Sequence, residues 1–456
     1  MRKYAWEKYD QTQLEKVMEY SQGYKKYISD CKTERECVDH AVALAKANGF
    51  YDINEVIAKQ IKLKKGDGVY ANNMGKTIAL FRIGNDIREG FHILGAHIDS
   101  PRMDIKANPL YETDGFAYLD THYYGGIKKY QWTALPLSIH GVVCLKNGET
   151  VNIVIGEKDD DPVFGVTDLL IHLAADQLQK KASVVIEGEQ LDILVGSMPV
   201  KEDCKEPVKQ GILNILKENY GIEEDDFFSA ELEVVPAGKA RDFGFDRSMV
   251  YGYGHDDRVC SYTSLTAFLD EKDVDKTAVC LLVDKEEVGS VGATGMQSLF
   301  FENMVAEIMN ACGCYSELNL RRALANSKML SSDVSAGFDP AFPSVSEKKN
   351  NAFLGQGICF MKFTGRGGKG GCNDANPEYI AYLRRILDEA GVTYQTSELG
   401  KVDQGGGGTI AYILAKYGLE VIDCGMPVLN MHAPWEIVSK ADVYEGYLAY
   451  RVFLKA

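Results

Sequence analysis

Two histidines and five acids carry the chemistry open to this chain. His97 and Asp99 close the stretch "FHILGAHIDS", Glu286 and Glu287 end "TAVCLLVDKEE", Asp333 follows "KMLSS", His432 follows "PVLNM", and Asp256 stands with Asp257 in "YGYGHDDRVC". Carboxylates gathered in one crevice cannot all stay ionised without compensation, because like charges a few ångströms apart repel. Two divalent cations compensate. With His97, Asp256, Glu287, Asp333 and His432 as ligands, three negative charges and one bridging hydroxide offset four positive charges. Mixed nitrogen and oxygen donors suit zinc, with cobalt or manganese as further possibilities.

These residues act together only if the elements beneath them end at one edge. The runs at 91–96 and 277–284, together with "KMLSS" and "PVLNM", read as strands, and each is followed by its polar group. In an open α/β sheet, ligands bind in the crevice at the carboxyl ends of the strands. Neighbouring side chains on a regular strand point to opposite faces, so Glu286 and Glu287 share a site only if the strand has stopped near Asp284. After 246 the chain alternates helix and strand: "HDDRVCSYTSLTAFLDE" helical, "TAVCLLVD" extended, "MVAEIMNACG" helical, "SKMLSSDVS" extended, "NPEYIAYLRRILDEAG" helical, "LEVIDCGMPVLNMH" extended. The last helix, "SKADVYEGYLAYRVFL", opens with a capping box of Ser439 and Asp442. Residues 10–48 read as helices closed by Gly49.

Residues 107–245 differ in character. They offer a hairpin over 135–155 around Asn147-Gly148, a helix from about 166 in "DPVFGVTDLLIHLAADQLQ", a helix near 208–219 stopped by Gly221, and the strand "AELEVVPAG". The expectation is an α/β catalytic domain from 1–106 and 246–456, a mixed sheet flanked by helices, interrupted by a largely β insertion at 107–245.

Composition removes several classes. A net charge of -16 over 456 residues argues against nucleic acid, which needs a basic face. No run approaches the ~18 apolar residues of a membrane span, and "MRKYAWEKYDQTQLEKV" lacks the apolar core of a signal peptide. Eleven scattered cysteines suit a reducing cytoplasm, Cys312 and Cys314 included as buried thiols rather than metal ligands. The glycine-rich stretches at 365–371 and 404–408 lack the strand, G-x-x-x-x-G-K-[ST] and helix order of a phosphate loop. Neither H-E-x-x-H nor G-x-S-x-G occurs.

In order, "GAHIDSPR", "HDDRVC", "DKEEVGS", "SSDVS" and "GMPVLNMHAPWE" resemble the aspartyl aminopeptidase and vacuolar aminopeptidase I family of binuclear zinc exopeptidases. The likeness spans most of the chain, insertion included, and "GHDDR" is also similar to the tetrahedral glutamyl and leucyl aminopeptidases. It implies a metalloaminopeptidase that removes single N-terminal residues, acidic or neutral, with a water activated by two zinc ions. By motif, His97 and Asp333 each bind one side of the metal pair, Asp256 bridges both ions, and Glu287 with His432 holds the second. Asp99 orients His97, and Glu286 is the general base rather than a ligand. His172, in "LLIHLAADQ", matches a histidine that the family contributes from a neighbouring subunit to the scissile carbonyl. The family assembles as dimers joined into a tetrahedral dodecamer, with the insertion as dimerisation element and lid. Lys362, in "CFMKFTGRGGKGG", is the candidate cation for an acidic N-terminal side chain. The alternatives are a non-catalytic metal-binding assembly protein of the same fold, or a related metal-dependent deacylase or carboxypeptidase. A retired site would have lost a ligand or its base, and here none is missing.

Overall fold

Alternate residues of the apolar runs go to opposite faces of one nine-stranded sheet in the computed structural model, which describes residues 4–456. Its strands are β1 (Tyr51–Asp52), β2 (Gly68–Asn73), β3 (Thr77–Arg82), β4 (Phe91–His97), β5 (Thr277–Val283), β6 (Lys328–Ser332), β7 (Ile358–Met361), β8 (Tyr394–Thr396) and β9 (Glu420–Gly425). The order across the sheet is β1-β2-β3-β5-β4-β6-β9-β7-β8. At the centre β5, β4, β6 and β9 run parallel, while β3 and β7 join them antiparallel. The sheet is therefore mixed, with helices on both faces. Leu94, Cys280, Leu282, Leu330 and Ile422 pack among side chains of helices Gln11–Asp30, Glu34–Ala47, His255–Asp270 and Lys440–Lys455. Ile93, Val279, Leu281, Met329 and Val421 pack with helices Phe300–Ala311 and Glu317–Ala325 on the other face. Burial on both faces is why these strands read as continuous apolar runs.

Contacts divide the chain into two units. The first holds the chain up to Asp99, Ala240–Met431 and Glu436–Ala456; besides the central sheet it carries a five-stranded sheet. The second holds Ser100–Lys239 and His432–Trp435. Its six-stranded sheet is antiparallel throughout, in the order Thr150–Ile155, Leu137–Cys144, Ala230–Pro236, Arg102–Thr113, Phe116–Tyr124, Ile193–Gly196. The expected hairpin forms with Cys144 paired to Thr150 and Gly148 at φ 92°. Helix Pro207–Tyr220 ends at Gly221, φ 70°.

Three local expectations fail for identifiable reasons. No α-helix forms from 166; the segment makes 3-10 turns at Ile171–Leu173 and Gln177–Gln179. Leu169, Leu170, Ile171 and Leu173 stay exposed, so no buried apolar face offsets helix nucleation. The Asp168 carboxylate instead takes the Leu169 N–H and the Gln177 side-chain amide. Ser439 and Asp442 make no capping box: the buried Asp442 carboxylate accepts the backbone N–H groups of Gly355 and Gly357, each at 2.7 Å. The run at 419–432 is two strands rather than one. β7 accompanies β9 only as far as Gly425, and Pro427–Leu429 pairs with Glu436–Ser439 in the five-stranded sheet.

Candidate active site

β4 delivers His97, fully buried, to the carboxyl edge of the parallel strands. Its Nδ1 lies 3.0 Å from the Asp99 carbonyl oxygen and 3.3 Å from Asp99 Oδ1. Both are acceptors, so Nδ1 carries the proton and Nε2 presents its lone pair. That nitrogen makes no hydrogen bond; it faces Asp256 Oδ1 at 3.2 Å, Asp333 Oδ1 at 3.9 Å and Glu286 Oε2 at 4.0 Å.

Each facing carboxylate comes from the end of a different element. Asp256 stands at the start of helix His255–Asp270 after Gly254, which takes a left-handed φ of 74°; Asp256 and Asp257 are not helical themselves, and the peptide between them is cis. The Asp256 N–H donates to Glu436 Oε2 at 3.1 Å. Asp257 Oδ2 accepts the His97 N–H at 3.3 Å and so fastens the strand end to the helix start. Asp333 follows β6, its N–H donating to the Cys424 carbonyl of β9 at 2.9 Å. After β5, Lys285 turns the chain with φ 70°, and Glu286–Val288 form one 3-10 turn. The two oxygens of Asp99 accept the N–H groups of Glu286 and Glu287 at 3.1 and 3.2 Å. One buried carboxylate thus orients the imidazole and fixes the turn that carries both glutamates, which is how adjacent acids reach one place.

The electrostatics call for a cation. Burial raises the Asp333 carboxyl well above the usual range; His97 opposes this, and Glu286, Asp257 and Asp256 add to it. Burial also lifts Asp257. For His97, burial disfavours the charged ring, yet Asp256 and Asp99, with the charges of Asp257 and Glu286, drive its pKa well above normal. An imidazole lone pair aimed at carboxylates needs a proton or a metal ion between them. His97, Asp256 and Asp333 present donor atoms within 4.8 Å of one another, as do His97, Glu286 and Glu287. A tetrahedral ion with bonds of about 2.0–2.2 Å separates its ligand atoms by about 3.3–3.6 Å, so the His97 donor set fits zinc.

The remaining candidates sit as follows. His432 groups with the second unit, at φ 65°, its Nδ1 2.9 Å from the Gly126 carbonyl. His172 is exposed on the turn Ile171–Leu173, not on an α-helix. Lys362 is exposed just after β7. Met361 pairs with Asp423, which is level with Ser331 and Gly95, so Lys362 is set behind the carboxyl edge. Sequence reasoning gave no role to Asp257, Glu436 or Asp284. The first two stand inside the quoted motifs "HDDRVC" and "HAPWE". Asp284, taken only as the end of a strand, is buried and pushed up to about 6 by burial and by Glu34 and Asp99.

The family model described as aminopeptidase I zinc metalloprotease (M18) matches residues 27–454. A probable M18 family aminopeptidase 1 of Clostridium acetobutylicum is 63% identical over 454 residues, spanning 99% of this chain and 98% of the relative. The crystal structure of an M18 family aminopeptidase from Thermotoga maritima superposes with a TM-score of 0.95 at 42% identity, covering 100% of this chain and 99% of that one. The mApe1 dodecamer of S. cerevisiae shares the fold at a TM-score of 0.77 and 21% identity, over 95% of this chain and 96% of that one. With a matched model running almost end to end and close relatives spanning the whole length, the chain belongs to the aminopeptidase I (M18) family of zinc metalloproteases and is a metallo-aminopeptidase.

Proposed function

We propose that this aminopeptidase removes single N-terminal residues, acidic or neutral, with a water activated between two metal ions held by His97, Asp256, Glu287, Asp333 and His432. The observation that carries the reading is the His97 Nε2 lone pair, fixed by Asp99 and aimed at Asp256 and Asp333 beside the Glu286–Glu287 turn. Asp256, whose Oδ1 lies nearest to His97 Nε2, would hold metal beside it, and the family resemblance gives it the role shared between the two ions. The Nδ1–H of His432 donates to the Gly126 carbonyl, a contact that leaves Nε2 to ligate. When bound, the ions lower the pKa of a bridging water and polarise the scissile carbonyl. Zinc is the metal of the family description, and cobalt or manganese accept the same donors.

Glu286 takes the proton of the attacking water and passes it to the leaving amine, a role worth ~10²- to 10⁴-fold in rate. The division between Glu286 as base and Glu287 as ligand follows the family resemblance. A substrate's free α-ammonium is drawn to this acidic edge, which explains trimming one residue at a time. His172 stabilises the oxyanion in a neighbouring subunit. Its flanking Leu169, Leu170, Ile171 and Leu173 are exposed apolar residues of the kind that subunit contacts cover. We assign the insertion the roles of dimerisation element and lid, in dimers that build a tetrahedral dodecamer. The eleven cysteines are all free thiols, which supports a cytoplasmic enzyme. No helix among the described residues is long and apolar enough to cross a membrane.

Metal content and peptide trimming of wild type and Glu286→Gln test the reading. Both proteins are expected to hold two metal equivalents, with turnover in the variant lower by ~10²- to 10⁴-fold. Retained turnover would remove Glu286 as base, and wild type without stoichiometric metal would sink the two-metal assignment. For specificity, Lys362→Ala tests whether this lysine, exposed and set behind the carboxyl edge, reaches the pocket: loss of aspartyl but not leucyl turnover on chromogenic substrates supports that role, and an unchanged ratio takes Lys362 out of the pocket.

A further inference from the structure

The turn that carries Glu286 and Glu287 is fastened from below as well as by Asp99. Lys285 and Ser290 take left-handed φ values of 70° and 61°, with Gly289 at 96° between them. Non-glycine residues in that region are strained, and they persist where surrounding structure over-determines them. Here the tip of the β2–β3 hairpin supplies restraint. The buried Thr77 hydroxyl donates to the Thr294 carbonyl and accepts the Asp284 N–H at 3.2 Å. Thr294 in turn donates its hydroxyl to Asp284 Oδ2 at 2.6 Å. Lys76 Nζ lies 3.6 Å from Asp284 Oδ2 and 3.6 Å from Glu34 Oε1, two carboxylates that are almost wholly buried. The Asn73 side-chain amide donates to the Ala293 carbonyl at 2.7 Å. Three residues of one tight hairpin thus grip both ends of the loop 284–294.

We propose that Asn73, Lys76 and Thr77 are positioning residues for the reaction: the hairpin tip sets where the Glu286–Glu287 turn stands relative to His97. None of them touches the reacting atoms. The inference rests on the reading of Glu286 as base, and it explains why that turn, left-handed at both ends, holds one geometry. Asp99 restrains the turn at its two amides, whereas the hairpin restrains the loop where it leaves β5 and where it returns. The Lys76 cation offsets the negative charge that Asp284 and Glu34 bring beneath the site.

Thr77→Val, Lys76→Met and Asn73→Ala test it, each beside its conservative partner Thr77→Ser, Lys76→Arg or Asn73→Gln. The first three are expected to retain metal and KM while kcat falls by about tenfold to hundredfold, the usual effect of removing an outer support. Thr77→Ser and Lys76→Arg are expected to restore most of the loss, which a merely structural change in packing would not predict. If the buried variants unfold, the partly exposed Asn73→Ala decides: lower kcat at an unchanged melting temperature supports the proposal, and wild-type kcat overturns it. Wild-type kcat in folded Thr77→Val and Lys76→Met overturns it equally. Glu286→Gln run alongside separates the two readings. An inactive Glu286→Gln with fully active hairpin variants rejects the positioning role alone, and an active Glu286→Gln rejects the base.

Discussion

Asp99 concentrates more function than any other side chain outside the proposed ligand set. Its carboxylate accepts the N–H groups of both glutamates while facing the protonated nitrogen of His97. Asp99→Asn keeps the shape but replaces one acceptor oxygen with a donor, so one glutamate N–H meets an N–H and the charge beside His97 disappears. We expect metal affinity or kcat to fall by about tenfold to hundredfold, read by metal titration beside steady-state kinetics; if neither moves, Asp99 is a bystander. At this scale the sequence was informative about which residues meet and silent about which does what. His97, Asp256 and Asp333 follow from strand and helix ends. Nothing in spacing distinguishes Glu286 from Glu287, because both amides go to one carboxylate. Asp284 and Lys76 were illegible for another reason: their partnership depends on a hairpin tip more than 200 residues from the loop it supports.

Between elements, the edge of β6 and β9 sets the position of Asp333. A Cβ on Gly425 would lie 2.0 Å from the Asp333 carbonyl oxygen and 2.6 Å from its carbonyl carbon, so the backbones touch there. Gly425→Ala must push Asp333 away from His97. A displacement of about 1 Å at a reacting centre can cost ~10²-fold, and we expect a turnover loss of that order, larger than any loss of folded protein in a parallel thermal melt. A variant with normal turnover would show that Asp333 does not need this contact. The strands and helices of the first unit were readable because burial on both faces writes itself as continuous apolar runs, and left-handed Gly49 and Gly221 end their helices as composition suggests. The failures have separate causes. Asp442 is taken by the distant amides of Gly355 and Gly357, residues 166–180 lack a buried apolar face, and Pro427–Leu429 turns back to pair with the nearby strand Glu436–Ser439 in a second sheet.

At the scale of the whole molecule, the role proposed for the exposed His172 in a neighbouring subunit would make activity a property of the assembly. A variant held monomeric is expected to lose nearly all turnover. Mixing gives a sharper check: His172→Ala and Glu286→Gln subunits, each inactive alone, are expected to regain activity when reassembled together, since one supplies the base and the other the imidazole. Mixtures that stay inactive would place His172 outside the reaction. The order of strands in the central sheet carries a consequence for how such an enzyme comes into being. β4 has β5 and β6 as its two neighbours, and both are made after the entire sheet of the second unit. His97 and Asp333 are 236 residues apart (333 − 97), so at about 5–20 residues per second a ribosome needs roughly 12 to 47 s between them. Within that interval, by Pro236, every strand of the antiparallel sheet has been made, while β4 still waits for both of its neighbours. The metal centre is therefore among the last features to exist in a newborn chain, and a product stalled before Asp333 is expected to bind no metal at the His97 site.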